Sequence, residues 1–393
     1  MDLFAKCHFE LLDEVRRKNI YPYFHSLESR QAPIVEMEGK KRIMLGSNNY
    51  LGLTEDERVI AAGKKALDKY GSGVSGSRFL NGTLDLHIQL EQAIADFTGY
   101  EAAMTCSTGF QTNLAILSTL CGKDDFILND RENHASIYDG TRLSYATQLR
   151  YKHSDMADLE RKLQSIPLEA GKLIVTDGVF SMRGDICKLP EICELAEKYH
   201  ARVMVDDAHG FGVLGEGGRG TAAMFGLTDR VDITMLTFSK SLASIGGCML
   251  SSKRVAEYVR HTSRPFIFSA SLTPASAATA LEALRCLQND PERPERLMHI
   301  TRYFQQALLK AGIPIIEAPT PIVPIFTYDT LRTLYLGKRQ FEEGVYVNPV
   351  IAPACVEGEC LLRTTLMATH TEAVIDEATD IIARVLKDKT DFH

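Results

Sequence analysis

Between residues 100 and 250, short β-rich runs alternate with helical stretches, and this alternation restricts the fold more than any other feature. KLIVTD (172–177), ARVMVDD (201–207) and DITMLTF (232–238) have the branched, apolar character of buried strands. LPEICELAEKYH (189–200), lying between two of them, repeats its apolar positions at helical spacing. Strands separated by helices do not pair as hairpins. They build βαβ units, and so a mostly parallel central sheet with helices on both faces. Thr83 to Phe97 predicts a further amphipathic helix, with Leu86, Leu90, Ile94 and Phe97 on one side and Gly99 just past its end. The run IPIIEAPTPIVPIF (313–326) is different: prolines at 314, 319, 321 and 324 suit edge strands and turns, because proline has no N–H for a central ladder. Leu11 to Lys18 reads as a charged helix followed by a short polar strand. The expected organisation is an N-terminal segment (1–50), a large α/β domain (51–290) and a smaller C-terminal α+β domain (291–393), which a chain of 393 residues accommodates.

Composition narrows the class. A formal net charge of −7 with no basic stripe argues against nucleic acid as a partner. The opening MDLFAKCHFE lacks the basic-then-apolar pattern of a secretory signal, and no apolar run reaches bilayer length, so a cytoplasmic protein is expected. The nine cysteines are scattered, odd in number and without a C-x-x-C pair, which points to reduced thiols and to no metal site.

In open α/β sheets, ligands bind beyond the carboxyl ends of the strands. The first of these strands runs into Thr176-Asp177-Gly178-Val179-Phe180-Ser181, the second delivers Asp206, Asp207 and His209, and the third delivers Thr237, Ser239 and Lys240. Singly, each residue has a structural explanation: aspartate shapes turns, histidine packs, lysine is solvated. Together they match what pyridoxal phosphate (PLP) requires. That cofactor needs a lysine for a Schiff base and an acid that keeps its pyridine nitrogen protonated. It also needs a phosphate cradle, for which a helix N-terminus is suited. Cys106-Ser107-Thr108-Gly109-Phe110-Gln111-Thr112-Asn113 supplies small residues before a helical run, with Gly109 permitting close backbone approach.

The strings VDDAHGFGVLGEGGRG (205–220) and TFSKSLASIGG (237–247) resemble the α-oxoamine synthase family of fold-type I PLP-dependent transferases. The resemblance runs from SNNYLGL (47–53) to LLRTTLMATHT (361–371). It implies Lys240 as the Schiff-base lysine and the acid/base at Cα, and Asp206 as the partner of the pyridine nitrogen. His209, helped by Ser181, would bond the ring hydroxyl oxygen, and His134 in NDRENHASIYDG (129–140) would stack on the ring and orient the substrate carboxylate. Gly109, Phe110, Thr237 and Ser239 would hold the phosphate. Ser269 and Ala270 in RPFIFSAS (264–271) would reach it from the other subunit, which implies a homodimer with shared active sites. Asn48 and Arg363 match contacts to the amino-acid carboxylate; Arg363 offers a bidentate fork, and a structural salt bridge is its other reading.

The implied reaction condenses an amino acid with an acyl-CoA, with loss of CoA and CO2. Within the family, GSGVSGSRFLNGTLDLH (71–87), TFSKSLASIGG, VNPVIAPA (347–354) and LMATHT (366–371) are most similar to the bacterial serine palmitoyltransferase branch, which implies L-serine and palmitoyl-CoA. Collection of the acyl-CoA would bring transient contact with a membrane surface, through an amphipathic N-terminal helix. One departure stands out. Ser181-Met182-Arg183-Gly184-Asp185 carries a cation where the family has an acid. It leaves two readings, a surface replacement or a preference for an anionic amino acid such as cysteate. The loop PVIAPACVEGEC (349–360) departs from the family pattern as well. Glycine acetyltransferase, aminooxononanoate synthase and a non-catalytic partner subunit are the other classes considered. GEGGRG (215–220) superficially suggests a dinucleotide loop, but follows a turn rather than a strand.

Overall fold

The computed structural model describes residues 2–388 and 390. Near its start, β1 (Ile34–Met37) and β2 (Lys40–Met44) form an antiparallel hairpin. The two linking residues, Glu38 and Gly39, both have positive φ (49° and 69°), the geometry that matches a tight hairpin turn to strand twist.

The main sheet has seven strands: β3 (Ala102–Cys106), β4 (Phe126–Asp130), β5 (Thr147–Tyr151), β6 (Lys172–Asp177), β7 (Arg202–Asp206), β8 (Ile233–Thr237) and β9 (Gly247–Ser251). Their spatial order is β3-β9-β8-β7-β6-β4-β5, and β9 alone runs antiparallel to its neighbours. The three strands expected from the sequence are β6, β7 and β8, adjacent and parallel. Every residue of β6, β8 and β9 is buried, as a sheet covered on both faces requires. Lys172 tolerates this because its ammonium reaches the carbonyls of Leu168 and Ala170 at 2.8 and 2.9 Å.

The helix Asp85–Thr98 ends on Gly99 in the left-handed conformation, φ 84°. Leu90 and Ile94 are fully buried on its inner side, in one apolar cluster with Ala277, Ala280 and Leu284 of the helix Pro274–Asn289. Helix Leu189–Lys198 places Ile192 and Cys193 against Ile174 and Val203.

The chain divides into two compact units. One is Asn48–Leu297, which contains the seven-stranded sheet. The other joins the residues up to Ser47 to those from Met298 onward. In this second unit β13 (Cys360–Thr365) lies between β10 (Ile322–Tyr328) and β12 (Asn348–Val350), antiparallel to both, while β11 (Val345–Tyr346) pairs parallel with β2. Pro324 is on β10, which pairs with β13 alone, so its missing N–H breaks no interior ladder. Glu10–Arg17 is helical and turns Val15 inward against Ile20 and Leu334. The exposed apolar side chains there, Leu3, Phe4 and Phe9, precede the helix. Among the described residues no helix is long and apolar enough to cross a membrane. All nine cysteines are unbridged and seven are buried.

Candidate active site

The six parallel strands of the main sheet end at one edge, where β4, β6, β7 and β8 finish on the polar residues Asp130, Asp177, Asp206 and Thr237. Beyond β8 the chain turns tightly. Phe238 N–H donates to Gly246 O at 2.9 Å, Ala243 N–H donates to Lys240 O at 3.1 Å, and Ala243 itself has φ 50°. Lys240 is thereby held at the strand end, with its Nζ 2.8 Å from His209 Nε2. The other ring nitrogen, His209 Nδ1, lies 2.7 Å from the hydroxyl of Tyr50, a fully buried residue.

Asp206 closes β7, 3% exposed. One carboxylate oxygen accepts the N–H of Ala208 at 3.1 Å and the other accepts Asn113 Nδ2 at 2.7 Å. Asn113 stands one helical turn after Gly109 on the helix Gly109–Leu120, so the helix that begins at the cavity also braces its carboxylate. The same Nδ2 lies 2.8 Å from Ser136 Oγ, which is 2.7 Å from His134 Nδ1. His134 caps the helix Ala135–Leu143, and its backbone N–H donates to Asp177 Oδ2 at 3.0 Å.

Electrostatics follow from this crowding. Burial pushes the Asp177 carboxyl well above its usual range; the nearby Asp206 adds to the effect, and Lys240 and the His134 N–H oppose it. Partial withdrawal from water draws the His134 imidazole below its usual range, with Lys240 assisting against the pull of Asp206.

At the far end, Thr108 caps the helix Gly109–Leu120 by accepting the Gln111 N–H at 3.1 Å. The first N–H groups of any helix lack an internal carbonyl partner and favour an anion. A Cβ on Gly109 would lie 2.8 Å from Thr237 Oγ1 and 2.9 Å from its Cβ, so only glycine lets the helix start meet the end of β8 this closely. Thr237 Oγ1 and Ser239 Oγ are 3.0 Å apart beside it.

These groups line a cavity of about 320 Å³. Of the residues expected from the sequence, it brings together Gly109, Phe110, His134, Ser181, Asp206, His209, Thr237, Ser239 and Lys240. Ser269 and Ala270 do not line it within one chain. Their segment instead sits beside the start of the same helix, with the Ala270 carbonyl accepting Ser107 Oγ at 2.5 Å and the Pro265 carbonyl accepting Gln111 Nε2 at 2.7 Å. Asn48 accepts a 3.4 Å contact from the Tyr50 hydroxyl. Arg363 belongs to the second unit, 5% exposed on β13, in register with Pro324 and Asn348. Sequence reasoning named Asp177 at its strand end without giving it a role, and missed Tyr50, Ser136 and the bracing of Asp206 by Asn113. The one available signal was the spacing of four between Gly109 and Asn113, which puts both on one helix face.

Size does not pick the site. A cavity of about 820 Å³ elsewhere is lined by Arg78, Glu91 and Arg260, but these charges already answer one another at 2.7–3.2 Å. The smaller cavity has a lysine amine, a braced carboxylate, an imidazole beside each, and a helix start that a Cβ would obstruct. That donor set fits the chemistry PLP needs: an amine for an aldehyde, a carboxylate for a pyridine nitrogen and free N–H groups for a phosphate.

Comparison with known proteins agrees. The family description aminotransferase class I and II matches residues 40–382. A serine palmitoyltransferase of Sphingobacterium spiritivorum is 50% identical over 97% of this chain and 95% of its own length. An 8-amino-7-oxononanoate synthase of Bacillus subtilis is 42% identical over 96% of each. A solved serine palmitoyltransferase variant from S. paucimobilis, with a PLP–myriocin aldimine bound, superposes with a TM-score of 0.94, at 38% identity over 98% of both chains. The chain belongs to the aminotransferase class I and II family, with the fold of the fold-type I PLP transferases.

Proposed function

We propose that this enzyme condenses L-serine with a long-chain acyl-CoA, palmitoyl-CoA in the first instance, to give 3-oxosphinganine, CoA and CO2, the first step of sphingolipid synthesis. The observation that carries the reading is the convergence of Lys240, His209, Asp206 and the Gly109 helix start on one cavity, in a chain half identical to serine palmitoyltransferases.

When bound, PLP supplies a protonated ring that accepts the negative charge developed at the amino acid Cα. Asp206 is the carboxylate that keeps the ring nitrogen protonated, and Asn113 and the Ala208 N–H fix its two oxygens for that task. Lys240 would hold PLP through its amine and, as a free amine, would take the proton from the amino acid Cα. His209 and Ser181 serve the ring oxygen. His134, kept neutral by its surroundings, offers a flat apolar face for stacking. Gly109, Phe110, Thr237 and Ser239 take the phosphate. The new carbon–carbon bond joins serine Cα to the acyl carbonyl carbon as the CoA thiolate leaves; the serine carboxylate then departs as CO2, and a proton, returned by Lys240, takes its place on Cα.

The carboxylate contacts assigned to Asn48 and Arg363 rest on the motif match alone. In this reading the enzyme is a homodimer, with Ser269 and Ala270 reaching the partner's phosphate. Their neighbour Phe268 is 79% exposed in the single chain and Leu80 is 77% exposed, apolar surface that a second protomer would cover. Serine is favoured over cysteate because Arg183 already faces a carboxylate of its own chain, with its Nε 3.2 Å from Glu132 Oε2.

The test is an absorbance titration of the holoenzyme with L-serine, glycine, L-alanine and L-cysteate, paired with mass analysis of the product formed from palmitoyl-CoA. A saturable spectral response to serine, abolished in Lys240→Ala, is the expected result. A tighter response to cysteate moves the assignment to a sulfonolipid-forming acyltransferase. Absence of any cofactor band, even with added PLP, rejects the proposal.

A further inference from the structure

The helices Gly109–Leu120 and Ala135–Leu143 approach each other closely at one point. A Cβ on Gly140 would lie 2.9 Å from the Asn113 carbonyl oxygen and 3.2 Å from Leu117 Cβ, so glycine permits the approach. Across this contact a single atom, Asn113 Nδ2, reaches Asp206 Oδ2 at 2.7 Å and Ser136 Oγ at 2.8 Å. Ser136 Oγ is in turn 2.7 Å from His134 Nδ1. Asn113 and Ser136 are buried, whereas His134 lines the cavity.

The direction of these hydrogen bonds is set from the Asp206 end. An ionised carboxylate only accepts, so the Asn113 nitrogen and not its oxygen faces it. That nitrogen carries two protons, and the second goes to Ser136 Oγ. The serine oxygen already receives one proton, so its own is directed to His134 Nδ1. The Ser136 backbone N–H, 3.3 Å from the same ring nitrogen, can only donate and imposes the same answer. Nδ1 is therefore the bare nitrogen of a neutral imidazole, and Nε2, on the other side of the ring, carries the proton. Asn113 Oδ1 is buried without a hydrogen-bond partner among the described residues, so this side chain is held through its nitrogen alone.

We propose that Ser136, oriented by Asn113, is a positioning residue that holds His134 as a neutral imidazole with its proton on Nε2, so that the ring offers the substrate a hydrogen-bond donor and not a base. The proposal deepens the functional reading and rests on it, because the oxygen that accepts from Nε2–H belongs to the amino-acid carboxylate. A bare nitrogen would repel that oxygen. The arrangement also opposes charging of the ring: a proton on Nδ1 would turn the serine proton away from its acceptor. One buried amide thus fixes both the carboxylate at the end of β7 and the imidazole across from it.

The titratable groups around His134 are Asp177 at the end of β6, Asp206 at the end of β7, and His209 and Lys240 further along the cavity wall. On its own helix, the Tyr138 hydroxyl is bonded to the carbonyls of Asp130 and Arg131, and Asp139 pairs with Arg142. All of them are retained in Ser136→Ala, which isolates the hydroxyl.

The first test needs no variant and no cofactor. The 15N chemical shifts of the His134 ring in the wild-type protein without PLP are expected to report a protonated Nε2 and a bare Nδ1. In Ser136→Ala the neutral ring loses a hydrogen bond, so the pH midpoint of His134 is expected to rise by about one unit. Asn113→Leu, which frees the serine hydroxyl to turn, is expected to raise it too. A serine that only packs would leave the midpoint where it is. In the holoenzyme, on the alkaline side of both midpoints, KM for L-serine is expected to rise about threefold to tenfold in Ser136→Ala, with kcat changed less. A proton on Nδ1 in the wild type, a midpoint identical in Ser136→Ala, or an unchanged KM overturns the proposal and leaves the functional reading standing. A wild type that shows the expected tautomer but no cofactor band with added PLP overturns the functional reading and, with it, the role toward substrate.

Discussion

Two polar clusters share the carboxyl edge of the main sheet and behave in opposite ways. Beyond β6, β7 and β8, Asp177, Asp206, His209 and Lys240 line an open cavity, and burial pushes the Asp177 carboxyl up and the His134 imidazole down. Beyond β4 and β5, His153 lies between Asp130 and Asp185, with Nδ1 3.0 Å from one carboxylate and Nε2 2.8 Å from the other. Its ring edge packs on Phe180 with centroids 4.4 Å apart. Burial works against the charge on this imidazole, yet the hydrogen bonds it donates to Asp130 and Asp185 outweigh it and raise the pKa to about 10. Arg183 and Glu132 add a second tie at 3.2 Å. The residue types are the same in both clusters. What differs is whether the charges answer each other or face a cavity, and that separates a clasp from a site. The clasp is still placed to serve the site, because it anchors the loop that carries Ser181 into the cavity.

The largest effect is expected from exchanging one carboxylate in each cluster. Asp206→Asn removes the anion facing the ring nitrogen and is expected to lower kcat by about 10²–10³-fold, with folding little changed. Asp185→Asn is expected to do the reverse: activity within about threefold, stability lower by ~1–2 kcal/mol, discounted because the carboxylate is partly exposed. Steady-state kinetics and urea midpoints on both variants check the contrast. Equal kinetic losses would mean that the clasp and the cavity act as one unit.

The sharpest contrast within one strand end lies between Asp206 and its neighbour Asp207. Asp206 faces the cavity. Asp207 points the other way, accepting Thr221 N–H at 2.8 Å and its hydroxyl at 2.5 Å, with its carboxyl raised to about 6 by burial. A Cβ on Gly220 would fall 2.0 Å from Asp207 Oδ2, and Gly220 has φ 104°. Gly220→Ala is therefore expected to cost about 3 kcal/mol or more, through overlap and backbone strain together. A urea midpoint indistinguishable from wild type would show that this loop relaxes freely.

The same pair marks where sequence legibility ends. Strands β6, β7 and β8 were legible because apolar runs stop abruptly at polar residues, and the placement of Lys240, Asp206 and His209 at one edge follows from parallel order. The glycines at 215–220 suggested a dinucleotide loop only superficially, because they follow a turn rather than a strand. The structure supplies the reason for Gly220: room for the buried Asp207 carboxylate. Tyr50 and Asn113 stayed hidden because their contacts join segments 159 and 93 positions apart, and no local pattern encodes such a pairing. Glu91 is similar. Burial disfavours its charge, but Arg78 and Arg260 from distant segments hold its carboxyl below the usual range.

His153 also gives the clasp a pH signature. Its folded pKa of about 10 lies above the ordinary histidine value of 6.5, so the folded protein binds more protons than the unfolded chain between those two values. The contribution of His153 is thus complete below pH 6.5 and lost as pH rises through about 10. His370 in the second unit is the counterpart. Burial lowers it to about 4, so its effect appears as a loss of stability when pH falls from 6.5 toward 4. In His153→Gln, the decline of the urea midpoint between pH 8 and 10 is expected to flatten while the acid limb is unchanged. An unchanged alkaline limb would place the origin of that decline elsewhere.

The smallest effect should come from Arg183→Ala, and it bears directly on substrate choice. The guanidinium and its Glu132 partner are both partly exposed, at 28% and 22%, so their pairing is worth at most ~1 kcal/mol. If Arg183 serves the clasp, the variant loses about that much stability and keeps the same ratio of serine to cysteate affinity, because the side chain contributes nothing toward the amino acid. If Arg183 instead turns toward substrate, a sulfonate loses a charge-assisted partner while serine loses nothing, and the ratio moves about tenfold or more in favour of serine. The comparison needs only the two spectral titrations, on wild type and variant. It assigns Arg183 to one of the two clusters by which quantity changes, stability or selectivity.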